Sequence, residues 1–141
     1  MLTEHFRLEE FVPKSTFKRY GQASIWFIDK EMVLFAEKIR TFTNKPVTIN
    51  NWYAGGPFNY RGFRPPDCTQ GAVMSQHRFG RALDISIMGL TIGEVSDIVI
   101  KNRNLWWPWI TAMEDPHYTP TWLHVDKRNT NSADLLIVDP S

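Results

Sequence analysis

The sequence predicts one α+β domain, residues 1–141, with a mainly antiparallel sheet and helices packed on it. Helical periodicity is gathered in the first third of the chain, strand-like segments fill the rest, and one capped helix crosses between them. A length of 141 residues matches a single domain at roughly 100–200 residues each. A chain of this size buries about two-thirds of its unfolded surface, so it needs no cross-links. It has one cysteine, Cys68, which excludes an internal disulfide and any all-cysteine metal site.

The elements follow in order. Glu4 to Val12 is a short amphipathic stretch with Phe6, Leu8 and Phe11 as its apolar positions, and Pro13 breaks it. Asp29 reads as the N-cap of a longer helix reaching about Thr43. Within it Ile28, Met32, Phe35, Ile39 and Phe42 recur on one helical face. Val47 to Asn50 reads as a strand. Trp52 to Gly71 is too long and too rich in glycine and proline for a simple connector, and loops of this kind in compact domains are often functional. Ala82 to Met88 alternates apolar and polar residues as a strand does. Thr91-Ile92-Gly93-Glu94 resembles a capping box that opens a helix to about Asn102, with Ile92, Val95, Ile98 and Val99 inward. Ile110–Met113 and Thr121–Val125 read as a hairpin around Asp115-Pro116, and Leu135–Val138 as an edge strand.

Composition narrows the function classes. Sixteen basic against fifteen acidic residues leave no excess of the cations on which nucleic-acid or anionic-membrane binding rests. No run of about 18 apolar residues could span a bilayer, and the first six residues lack the basic start and apolar run of a secretion signal. Aromatic content is high at 13%, with three tryptophans in Trp106-Trp107-Pro108-Trp109. These rings serve either as core packing or as the walls of a ligand groove.

Two clusters carry the raw material of a metal site: Ser75-Gln76-His77-Arg78-Phe79-Gly80-Arg81-Ala82-Leu83-Asp84 and Trp122-Leu123-His124-Val125-Asp126. Catalytic zinc takes three protein ligands from His and Asp or Glu and keeps a position for water. His77, Asp84 and His124 meet that count. The seven-residue gap from His77 to Asp84 suits neither one helix face nor one strand face. It requires a turn, which Gly80 supplies, folding a His77 loop back onto an Asp84 strand.

The pattern Ser75-x-His77-x-x-Gly80-x-Ala82-x-Asp84, followed by Trp122-x-His124-x-Asp126, resembles the signature of the zinc D-Ala-D-Ala carboxypeptidases. That superfamily includes vancomycin-resistance dipeptidases, phage endolysins and the hedgehog signalling domain. The opening Glu4-His5-Phe6-x-Leu8-x-Glu10-Phe11 is similar to the start of small phage and bacterial members. The resemblance implies a zinc D-Ala-D-Ala carboxypeptidase-like fold, a Zn²⁺ cofactor and His77, Asp84 and His124 as its ligands. It also implies an arginine upstream of the first His that holds a substrate carboxylate. Arg61 and Arg64 are both candidates: the Gly-Phe-Arg order favours Arg64, and the longer gap to His77 favours Arg61.

The general base departs from the pattern. Many members place Glu three residues before the last His, where this chain has Thr121. If residues 110–114 pair with 120–124, Glu114 lies near Pro120 and shares a strand face with His124. Asp126, on that same face, serves either to orient His124 or as an alternative base, and His117 in the turn is a third option.

The function implied is a zinc metallopeptidase that cleaves peptidoglycan stem peptides, without nucleic acid or membrane span. For a phage lysin this means host cytoplasm followed by release to the cell wall. The alternative is a weakly active or non-catalytic virion or tail module that keeps the fold among other virion proteins.

Overall fold

The structure, a computed structural model, describes residues 1–139. Local signals place its helices. Asp29 Oδ1 accepts the Glu31 N–H at 2.9 Å and opens α2, Lys30–Thr43, which ends at Asn44 in the left-handed region (φ 52°). Its buried face is Met32, Val33, Phe35, Ala36 and Ile39; Phe42, expected inward, is half exposed at the helix end but meets Trp106 edge-on. Thr91 and Glu94 form the expected reciprocal cap at the start of α3, Ile92–Lys101. Ile92, Val95 and Val99 are buried, and Ile98 packs against the core from its margin.

The N-terminal region departs from expectation. Only Leu8–Glu10 forms a helical turn, although Phe6, Leu8 and Phe11 are all buried as the pattern required. Pro13 begins a helix as well as ending a segment: it is the N-cap of α1, Lys14–Tyr20, followed by a 3-10 stretch over Gly21–Phe27. Neither carries a readable apolar stripe. In α1 only Thr16 is buried.

The strands are β1 Val47–Thr48, β2 Ala82–Ile87, β3 Ala112–Glu114, β4 Leu123–Asp126 and β5 Leu136–Val138. They form one mixed sheet in the order β1-β2-β4-β3-β5. Three pairings are antiparallel; β5 runs parallel to β3 at the edge. The described residues are therefore α+β, with three α-helices and a mainly antiparallel five-stranded sheet.

The pleat sorts the central strands into two faces. Leu83, Ile85, Leu123 and Val125 join the helices in the core. Asp84, His124 and Asp126 point to the other face, and the long segment after Trp52 runs beside it. Asp84 N–H donates to Arg61 O at 2.8 Å, Phe63 N–H to Phe11 O at 2.8 Å and Arg64 N–H to His77 O at 3.0 Å, so main-chain bonds tie this segment to β2, to the N-terminal region and to the turn before β2. Arg78 gathers its outer part by donating to the carbonyls of Pro65, Cys68 and Ala72.

The tryptophan run belongs to packing. Trp106 is fully buried, edge-on to Phe35 at 5.7 Å, and Trp109 packs against the same core. None of the three lines the cavity described below; Trp122 does.

Candidate metal centre

The β2–β4 register sets Asp84 directly opposite His124. Directly paired residues on one face have Cβ atoms about 4.5–5.5 Å apart, so the two side chains must meet. His77 arrives from the turn before β2. Ser75 caps that turn, its Oγ accepting the His77 N–H at 3.3 Å. Gly80 ends it in the left-handed region (φ 68°) and turns the chain into β2. The expected turn between His77 and Asp84 is thus present, at the expected glycine.

The three side chains converge. His77 Nε2 lies 3.2 Å and His124 Nδ1 3.0 Å from Asp84 Oδ1. A donor atom from each lies within 4.8 Å of the others, and all three residues are buried. The remaining ring nitrogens are anchored. His77 Nδ1 sits 2.8 Å from Gly62 O, so it carries the proton; His124 Nε2 sits 2.8 Å from Asp126 Oδ2. Gly62 can present its carbonyl there because it lies against the main chain of Phe11, where a Cβ would stand 2.3 Å from Phe11 O. Two imidazoles oriented by outer acceptors, plus one carboxylate, make a donor set that can hold a divalent metal ion.

Charge in the cluster is strongly coupled. Burial would raise the Asp84 carboxyl, but the two imidazoles outweigh it and hold Asp84 well below the usual carboxylate range. Burial would likewise lower His124, but its bonds to Asp126 and Asp84 push it up to about 9. Asp126 is depressed to about 2, because His124 and Arg128 overcome its desolvation. Arg128 Nε donates to both Asp126 oxygens, at 2.9 and 3.1 Å. Asp126 therefore orients His124. The sequence did not single out Arg128, although its place two residues beyond Asp126 was available as a signal.

These shifts give the metal-free protein a pH-dependent contribution to stability. Asp126, depressed when folded, stabilises above its ordinary value and loses that stability as pH falls from about 4 to 2. His124, raised when folded, stabilises below pH 6.5 and loses that stability as pH rises through about 9. Each limb is worth on the order of 2 kcal/mol, and the two share one ion pair, so they are not summed. Thermal melts in chelator should show a plateau between about pH 4 and 6.5 with losses on both sides. A melting temperature flat from pH 6.5 to 9 would rule out a charged His124.

A cavity of about 600 Å³ opens over the cluster, and Glu114 lines it together with His77, Asp84, Trp122 and His124. The hairpin register differs from the expected one. Ala112 pairs with Asp126 and Met113 with Val125, which places Glu114 opposite His124 rather than near Pro120. The strands are displaced by four residues, an even number, so Glu114 still shares the His124 face. The connection is longer than the Asp115-Pro116 signal suggested, because β4 starts only at Leu123. His117 is exposed in that connection and does not line the cavity; Thr121 is also exposed.

The structure separates the two arginines. Arg64 Nη2 holds Asp84 Oδ2 at 3.2 Å, and its Nε donates to Tyr60 O at 2.8 Å. The Arg61 guanidinium carbon sits over Phe58, 3.5 Å from the ring centre, with Nη1 at 3.3 Å from Ser86 Oγ. It lines an adjoining cavity of about 500 Å³ that shares Arg64, Gln70, Asp84 and Trp122 with the first. Among the described residues no carboxylate pairs with Arg61 within 4 Å. Burial lowers its pKa against the opposing pull of Asp84. No helix of the described chain is long and apolar enough to cross a membrane.

Comparison of the chain with models of known protein families, with curated proteins and with solved structures gave no match.

Proposed function

We propose that the chain is a zinc-dependent peptidase of the D-Ala-D-Ala carboxypeptidase type, acting on peptidoglycan stem peptides. The observation that carries this reading is the convergence of His77, Asp84 and His124 on the wall of a cavity that also presents Glu114. Two nitrogens and one carboxylate oxygen are a catalytic-zinc donor set, with coordination positions left for water and substrate. When bound there, zinc supplies Lewis acidity that polarises the scissile carbonyl and acidifies water.

The protein's own groups divide the remaining work. Asp126 fixes the His124 ring so that Nδ1 faces the cluster, and Gly62 O does the same for His77 Nε2. Arg64 holds the second oxygen of Asp84, leaving Oδ1 turned toward both imidazoles. Glu114 accepts the proton of the attacking water and delivers it to the leaving amine. Arg61, whose fork has no carboxylate partner among the described residues, receives the substrate carboxylate, with Trp122 beside it at 5.9 Å.

Glu114→Gln tests this. Gln keeps the shape but cannot take the proton, and a positioned base contributes roughly 10²–10⁴-fold. The variant should keep its zinc and melting temperature and lose at least about 100-fold in rate. The measurement is release of free amines from wall preparations. A wild-type rate in the variant would remove Glu114 from the mechanism. Zinc-loaded wild-type protein that releases no amines would favour the non-catalytic virion module.

A further inference from the structure

Gly71 lies in the segment between Arg64 and His77, on the wall of the cavity over the metal donors, with its backbone in the left-handed region (φ 76°). A Cβ built there would meet a single residue within 4 Å: Arg64, with Nη1 at 2.5 Å and the guanidinium carbon at 3.8 Å. The Arg64 guanidinium is thus packed against bare main chain on that side. Its other nitrogens are committed, Nε to Tyr60 O at 2.8 Å and Nη2 to Asp84 Oδ2 at 3.2 Å. A guanidinium is a rigid planar fork, so Nη1 cannot retreat without shifting Nε or Nη2. The main chain at residue 71 is held as well, because Arg78 donates to Cys68 O at 2.7 Å and to Ala72 O at 3.2 Å, on either side of it. Ordinary contact with a Cβ begins at 3.4 Å, so a methyl group on residue 71 would displace Nη1 by about 0.9 Å.

We infer that Gly71 is a positioning residue for the metal centre: its bare main chain lets Arg64 lie where it holds Asp84 Oδ2, which leaves Asp84 Oδ1 to the metal. This rests on the reading of His77, Asp84 and His124 as a zinc site. A donor on the outer oxygen of a ligating carboxylate fixes its orientation, and losing such a partner typically weakens metal binding roughly 10–100-fold. Gly71 acts one contact further out, through Arg64. The segment that carries it also lends Gln70, Ala72 and Met74 to the cavity wall. The wall that a peptide would touch is therefore joined to the ligand Asp84 through one side chain.

The test measures zinc affinity, by competition with a chromophoric chelator, in wild type, Gly71→Ala and Gly89→Ala. Gly89 has nearly the same φ, 78°, and nothing within 4 Å of its Cβ position, so its alanine carries the backbone strain without the contact. Gly71→Ala should bind zinc about tenfold more weakly. Gly89→Ala should bind zinc like wild type, although the melting temperature falls in both variants. Arg64→Gln should weaken zinc binding by itself, and adding Gly71→Ala to it should change the affinity by less than about twofold, since the two act through one contact. Wild-type affinity in Gly71→Ala overturns this inference and leaves the proposed function standing. An equal loss in Gly89→Ala, or a loss from Gly71→Ala that persists in the Arg64→Gln protein, also overturns it by assigning the effect to backbone strain. If Arg64→Gln does not fold, the comparison of the two glycines decides alone. A wild-type protein that takes up no zinc overturns both the inference and the proposed function.

Discussion

His124→Ala is expected to take up no stoichiometric zinc, and His77→Ala likewise. Each contributes one ring nitrogen facing Asp84 Oδ1, at 3.0 and 3.2 Å, and no other His lies in the cluster to replace it. Losing either leaves two ligands where catalytic zinc requires three. The variants should still fold. The Asp84 and Asp126 carboxylates each retain an arginine, Arg64 and Arg128, when the imidazole is gone. The metal-free His124→Ala protein should therefore lose about 1–3 kcal/mol, the cost of two buried acceptors losing a donor, and not its whole stability. Metal analysis of the purified variants decides the matter: zinc at wild-type occupancy in both would sink the assignment.

Gly80→Ala should be the most damaging single change outside the donors. At φ 68° a side chain is already strained, and the added Cβ would stand 1.9 Å from Phe27 O, a main-chain atom that cannot swing away. Gly80 O also accepts the N–H of Asp29, the cap of α2, so movement there disturbs the helix start. We expect a loss of at least about 3 kcal/mol from a total typically near 5–15. For this size that lowers the melting temperature by roughly 10 °C. Because the glycine stands between His77 and Asp84, zinc affinity should fall in the same variant. A melting temperature within about 2 °C of wild type would contradict the geometry.

How far these features could be read in advance depended on whether a residue's signal was local. Asp29, Thr91 and Glu94 act within one helical turn, and the helices begin where those residues placed them. The turn at Gly80 was legible because the odd gap between His77 and Asp84 demanded one. The β3–β4 register was not, because nothing local in residues 115–122 fixes its length; only pairing against Asp126 and Val125 does. Glu114 kept its face through the parity of the offset. That Arg64 and not Arg61 pairs with Asp84 was not legible either, since the contact spans 20 residues of chain.

The direct opposition of Asp84 and His124 also says when the centre comes into being. Those residues are 40 apart, and closing a loop of that length costs about 3 kcal/mol of chain entropy beyond the constant term. That cost is met on the opposite side of the same strands, where Leu83, Ile85, Leu123 and Val125 enter the core without reference to any ion. The folding reaction thus assembles the donors as a by-product of sheet closure. On the proposed function, an ion would meet a frame that the core closes, unlike a zinc finger, whose chain waits for metal to fold. Affinity at this centre would accordingly not be drawn down by the ordering of the chain.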